Sequence, residues 1–212
     1  MPPVPFVQLI TGAQSGKLIS FPTDTVPALA VRPDCANLIF EAKQRSQTKP
    51  LILMAAEISE IWDYVTGSKA ELLYWQQVAE RYLPGALTLV LPASDRVPSV
   101  MNPIDPTTIG VRVPNHAVAR HILAQTRPLA TTSINRSGQP PLETLEAIHR
   151  EFPEVLTLTA EELNNLEQSL TEPQARSQSL QATNAGLPST VVKWGGAGWE
   201  IVRQGGVRFE EI

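Results

Sequence analysis

Leu129-Ala130-Thr131-Thr132-Ser133-Ile134-Asn135-Arg136-Ser137-Gly138 begins as an apolar strand and ends in hydroxyls, an amide and a glycine. Earlier in the chain, Leu18-Ile19-Ser20-Phe21-Pro22-Thr23-Asp24-Thr25 follows the same plan. Short continuous apolar runs read as buried strands. Pro22 stops the first of them, and the polar run from Ser133 opens a turn after the second. Between and around these runs the pattern changes to helical spacing. Strands interleaved with helices imply an α/β architecture built on a mixed sheet.

Working outward, Leu51-Ile52-Leu53-Met54-Ala55 and Leu87-Thr88-Leu89-Val90-Leu91-Pro92 are two more apolar runs of strand length. Thr108-Ile109-Gly110-Val111-Arg112-Val113-Pro114 alternates, so Ile109, Val111 and Val113 share one strand face. Asp34 is placed to cap a helix through Leu38, Ile39, Phe40 and Ala42, with Lys43 and Arg45 in its last turn. Ser59 to Val65 and Lys69 to Tyr82 have helical spacing, and Pro84-Gly85 breaks the second. Asn115 is placed to cap a helix over His116 to Thr126, and Leu142 to Phe152 continues the pattern. Val155-Leu156-Thr157-Leu158 is strand-like. Residues 160–186 are rich in Glu, Gln, Asn and Ser; Glu161 to Leu170 can be helical and the rest reads as a mobile loop. Ser189 to Trp194 and Trp199 to Arg203 form a hairpin across Gly195-Gly196-Ala197-Gly198.

The chain has 212 residues, 42% of them apolar and 18% charged, which suits one folded domain and excludes a disordered or coiled-coil chain. We expect a single domain over residues 1–212 with its core at about 7–208 and no additional C-terminal domain. No run approaches the ~20 apolar residues of a membrane span, and the N-terminus lacks the pattern of a secretory signal. Cys35 is the only cysteine, so a reducing, cytoplasmic setting is expected, with an inert thiol. The net charge of −4 argues against a broad nucleic-acid-binding face. A local basic pocket is compatible with it.

The cations of interest are few and clustered. Lys43 and Arg45 stand two apart, with Lys49 just before Pro50. A guanidinium grips phosphate oxygens with its planar fork and an ammonium adds a mobile point charge. Cations also favour helix C-termini for their own sake. Thr23 and Thr25 place two hydroxyls beside Asp24, which can bind Mg2+ or cap a turn. Ser133 and Asn135 follow Thr131 at a strand end, where open α/β sheets bind ligands. Neither a Walker-type phosphate loop nor a dinucleotide-binding glycine fingerprint is present. His116, at a helix start, reads as a capping or first-turn residue. His121 and His149 read as structural, without metal-ligand spacing.

Seven segments in register resemble the YrdC/TsaC family of threonylcarbamoyl-adenylate synthases: Phe21-Pro-Thr-Asp-Thr25, Lys43-x-Arg45-x-x-x-Lys49-Pro-Leu51, Leu83-Pro-Gly-Ala-Leu-Thr88, Val111-Arg-Val-Pro114, Thr132-Ser-x-Asn135-x-Ser-Gly138, Pro188-Ser-Thr-Val191 and Arg203-x-Gly205. The resemblance implies a twisted mixed parallel/antiparallel sheet with flanking helices around a basic concave cavity. It also implies a nucleotidyltransfer: L-threonine, bicarbonate and ATP give threonylcarbamoyl-AMP and pyrophosphate, with Mg2+ accompanying ATP. The product feeds the t6A37 modification of tRNA, completed by partner proteins. Carried onto this chain, Lys43 and Arg45 are the expected catalytic pair. With Lys49, Thr108, Ser133, Asn135 and Arg203 they are the expected ATP site. Thr23, Thr25, Arg112, Thr131 and Ser189 are the expected threonine site, and no protein metal site is expected.

Two departures from the family pattern bear on that pocket. Val26-Pro27-Ala28 replaces a Val-aromatic-Gly sequence, and Ile134 replaces an alanine, which is expected to add bulk near the base site. They keep two alternatives open: a divergent member of the fold binding tRNA or double-stranded RNA, and an adenylate-forming paralogue with another amino-acid substrate.

Overall fold

The computed structural model describes residues 3–170 and 186–211. Eight strands among them form one mixed sheet: β1 (Ile19–Phe21), β2 (Ala28–Val31), β3 (Ile52–Met54), β4 (Leu87–Pro92), β5 (Thr108–Arg112), β6 (Leu129–Ser133), β7 (Thr190–Trp194) and β8 (Trp199–Arg203). Their order across the sheet is β1-β2-β6-β3-β5-β4-β7-β8. The pairs β3–β5 and β4–β7 are parallel and the other pairs antiparallel. The helices are α1 (Phe6–Gln14), α2 (Asn37–Lys43), α3 (Ile58–Ile61), α4 (Lys69–Tyr82), α5 (Ala117–Thr126), α6 (Leu145–Glu151) and α7 (Ala160–Leu170).

Strand alternation assigns the side chains to two faces. On the first, Leu29, Val31, Leu53, Leu87, Leu89, Leu91, Ile109, Val111 and Val192 pack beneath Ile39 and Phe40 of α2 and Trp75, Val78 and Ala79 of α4. Ile109, Val111 and Val113 do share the buried face expected of them. On the second face, Ile19, Phe21, Ala28, Ala30, Met54 and Leu129 pack against Leu9, Ile10 and Ala13 of α1 and Val118, Ala119, Ile122 and Leu123 of α5. The helices α1 and α5 cover only part of that second face. The uncovered part, toward β5, β4 and β7, is where polar side chains stand.

Several expectations are corrected. α5 is capped by His116, whose Nδ1 accepts from the Ala119 N–H at 3.4 Å, not by Asn115. α2 ends at Lys43, because Gln44 takes a left-handed turn (φ 49°), so Arg45 lies beyond the helix. The chain from 155 to 158 forms isolated bridges to Ile19 and Val4 rather than a strand. α1 and β2 had no counterpart in the sequence reading. The part of the 160–186 segment read as a loop falls on residues 171–185, which lie outside the described residues. Among the described residues no helix is long and apolar enough to cross a membrane.

Candidate active site

The uncovered sheet face floors a cavity of about 520 Å³. Its floor comprises Ile52 of β3, Thr108, Gly110 and Arg112 of β5, Thr131 and Ser133 of β6, Thr88 and Val90 of β4, and Val191 of β7. The 23–26 segment, the 45–51 segment and Pro188-Ser189 form its walls. Ten of the twelve expected site residues line it: Thr23, Thr25, Arg45, Lys49, Thr108, Arg112, Thr131, Ser133, Ser189 and Arg203. Its place over a sheet face corrects the expectation of a site beyond the strand ends, and alternation explains it. The partners of these residues along each strand are the buried core of the opposite face.

The other two expected residues, Lys43 and Asn135, stand behind the wall. Lys43 is 1% exposed. Its ammonium donates to the Ser133 carbonyl (2.5 Å), the Asn135 carbonyl (2.6 Å) and Asn135 Oδ1 (3.0 Å). Asn135 Oδ1 also accepts from the Ser133 hydroxyl at 2.6 Å, while its NH2 donates to the Arg136 and Gln139 carbonyls. Both side chains therefore bind the 133–139 turn, and neither lines the cavity. Burial, with the nearby charges of Arg45 and Lys49, lowers the Lys43 pKa to about 7. A sequence signal for this existed: Lys43 lies three and four residues after Phe40 and Ile39, on the apolar face of its helix. Arg136 completes the turn's support. It donates to the Ala42 and Glu151 carbonyls at the ends of α2 and α6 and lies over the Phe152 ring.

Arg45 and Arg203 stand on opposing walls. Arg45 donates to the Lys49 and Pro50 carbonyls at 3.1 and 3.2 Å. Arg203 donates to the Ser189 carbonyl from Nε and Nη2. Burial lowers the pKa of both, and the charge of Arg203 adds to the effect on Arg45. Two guanidinium groups that repel one another across a concave space favour an anion between them. No carboxylate lines the cavity among the described residues.

At the deep end Arg112 is bound on three sides. Nε donates to the Gly85 carbonyl (3.1 Å), Nη1 to the Thr25 hydroxyl (3.0 Å) and Nη2 to Asp24 Oδ1 (2.6 Å). The Arg112 and Asp24 side chains are 5% and 13% exposed. Burial lowers the Arg112 pKa while Asp24 opposes that change. His116 lies near this pair, its pKa lowered by burial against the pull of Asp24. Asp24 thus pairs with Arg112. Thr23 Oγ1 lies 3.1 Å from Thr25 Oγ1 and donates to the Val26 carbonyl, which folds this segment over the floor.

The sequence reading missed Thr88 and Asn102 as cavity residues. The Thr88 hydroxyl meets that of Ser189 at 2.9 Å, and Asn102 donates to the Thr108 carbonyl and hydroxyl. Thr88 was detectable as the polar member of an apolar run whose other face is Leu87, Leu89 and Leu91. Ile134 does not line the cavity: it is fully buried in the first core, packed away from the floor because it points opposite Ser133. Ala28 does line it.

Comparison with known proteins fits this arrangement. The Sua5/YciO/YrdC family model, described as "Telomere recombination", matches residues 12–174. A threonylcarbamoyl-AMP synthase of Pyrococcus abyssi is 37% identical over 146 residues, 66% of this chain and 41% of that protein. One of Vibrio campbellii is 34% identical over 152 residues, 69% of this chain and 80% of that protein. This chain therefore spans about two fifths of the first relative and four fifths of the second. The crystal structure of P. abyssi Sua5 complexed with L-threonine superposes with a TM-score of 0.74 at 28% identity, over 95% of this chain and 54% of that one. By the extent of the family match, by the relatives and by the shared mixed sheet, the chain belongs to the Sua5/YciO/YrdC family.

Proposed function

We propose that the chain is an L-threonylcarbamoyladenylate synthase, forming threonylcarbamoyl-AMP and pyrophosphate from L-threonine, bicarbonate and ATP for t6A37 modification of tRNA. One observation carries the reading: Arg45, Lys49, Arg112 and Arg203 line a single cavity that no carboxylate lines among the described residues. Such a surface suits a polyphosphate together with a carboxylate. The activity named for the Pyrococcus and Vibrio relatives supports it.

Arg45, Lys49 and Arg203 hold the phosphates in this reading, with Thr108 and Ser133 beside the nucleoside. Thr25, Arg112, Thr131 and Ser189 hold the amino acid, with Thr23 bracing Thr25. Lys43 and Asn135 act from behind by fixing the turn that presents Ser133. Bicarbonate gives CO2 and hydroxide; the neutral amine nitrogen attacks the carbon of CO2, and the proton the nitrogen loses joins that hydroxide as water, leaving a carbamate. A carbamate oxygen then attacks the α-phosphorus, and the bond to pyrophosphate breaks. Neither step needs a protein nucleophile. The chain's contribution is to place the reactants and neutralise the charge on the leaving pyrophosphate. Mg2+ bound with ATP would supply further charge neutralisation; no carboxylate lines the cavity among the described residues to hold it. Partner proteins complete transfer to tRNA.

Pyrophosphate release from ATP and bicarbonate, measured with and without L-threonine, tests the assignment. Threonine-dependent release is the expected result. Release that is equal without an amino acid, or that requires a different one, overturns it.

A further inference from the structure

Four cations line the cavity, yet only one has an ion-pair partner among the described residues: Arg112, bound to Asp24 at 2.6 Å. Arg45, Lys49 and Arg203 have no carboxylate within ion-pair reach among those residues. Two are instead anchored by backbone carbonyls, which leave their charge uncompensated. The cavity is thus cationic at one end and balanced at the other. A polyphosphate and an amino-acid carboxylate are both anions, and both can bind a guanidinium bidentately. Shape alone separates them poorly.

We propose that Asp24 is a specificity-determining positioning residue that sorts these two anions. It does not line the cavity. It acts through Arg112, and the inference rests on the assignment of Arg112 to the amino-acid carboxylate. By neutralising the buried guanidinium, Asp24 removes the excess charge that would draw phosphate to the deep end. By binding Nη2, it fixes the rotation of the fork, with Thr25 on Nη1 and the Gly85 carbonyl on Nε. One N–H on each Nη then has no protein partner shown and remains for a single carboxylate. A carboxylate pays a small penalty for meeting a neutralised guanidinium because its two hydrogen bonds are retained. A polyphosphate, which binds through net charge, loses more.

The test compares wild type with Asp24→Asn, by calorimetric titration of inorganic pyrophosphate and, separately, of L-threonine. Neither titration needs turnover. The amide keeps an acceptor for Arg112 and removes the charge. Asp24→Asn is expected to bind pyrophosphate several-fold more tightly, and L-threonine within about twofold of wild type, because the amide still orients the fork and the carboxylate keeps its two hydrogen bonds. Pyrophosphate is also expected to compete with L-threonine in the variant and not in wild type. Merely loosening the fold would weaken both ligands together, so unchanged or weaker pyrophosphate binding overturns the proposal. Should wild type fail to bind L-threonine, the synthase assignment fails, while the pyrophosphate comparison still decides the charge-sorting role. Should Asp24→Asn fail to fold, Asp24→Glu, which keeps the charge but moves it by one methylene, is expected to bind pyrophosphate as wild type does and L-threonine more weakly; tighter pyrophosphate binding or unchanged L-threonine binding in that variant overturns the proposal.

Discussion

Binding of ATP near neutral pH is expected to draw protons onto Lys43. In the free protein its ammonium titrates at about 7, lowered by burial first and then by the charges of Arg45 and Lys49. An anion bound by those two residues relieves the repulsion and raises the pKa, while burial remains. A rise of one unit corresponds to about 1.4 kcal/mol. With the free group at about 7, that rise gives an uptake of about half a proton per ATP at a pH of about 7.5. Affinity for ATP therefore falls as pH rises above about 7. Free-protein stability runs the other way: between about 7 and 10.5 the unfolded chain holds the proton that folded Lys43 has lost, so stability rises with pH across that window. Calorimetric titration of ATP in several buffers of differing ionisation enthalpy measures the uptake. Lys43→Met, checked for folding by circular dichroism, serves as the reference that subtracts the ionisation of ATP itself. An identical proton count for wild type and Lys43→Met would refute the reasoning.

Three substitutions extend the test. Arg45→Ala removes one wall of the phosphate end and is expected to weaken ATP binding by about 1.5–3 kcal/mol with the fold retained, by titration and thermal melting; an unchanged ATP Kd sinks the phosphate assignment. Arg112→Ala strands the buried Asp24 carboxylate, at a cost of about 3–5 kcal/mol, so the melting temperature should fall by roughly 10 °C and the threonine KM should rise. A loss confined to ATP affinity would show that the pocket is divided differently. Gly205→Ala puts a methyl 2.2 Å from the Pro188 carbonyl oxygen and 2.5 Å from the Thr190 nitrogen. Backbone must move to admit it, so synthase activity and thermal stability should both drop; a variant equal to wild type in both means that the approach there is looser than described.

Most strands and the longer helices were legible because each is a local pattern. β4 and α4 fall where continuous apolar character and helical spacing place them. β2 was not legible, since it is a four-residue run with Pro27 at its entrance and Pro33 soon after its end. α1 was hidden by Gly12 and by β-branched Val7, Ile10 and Thr11, which weaken a helical reading. In the site, the residue types were legible and their orientation was not. Ile134 and Ser133 are neighbours in sequence, yet one faces core and the other the cavity. The pairing of Asp24 with Arg112 joins residues 88 apart in the chain, a relation no local spacing encodes. Lys43 is the intermediate case, since helical phase placed it on an apolar face while its chemistry suggested a ligand.

The cavity floor has a further consequence for how this protein can change. Thr108, Gly110 and Arg112 alternate with Ile109 and Val111, so ligand recognition and folding are written on the same five residues in opposite phase. An inserted or deleted residue in β5 would exchange the two messages at once, sending Arg112 into hydrocarbon and an isoleucine or valine toward the substrate. Loop-built sites diversify by changing length. This one is confined to point substitution at every second position, leaving the exposed 46–50 segment as the part of the wall where length can vary without cost to the core.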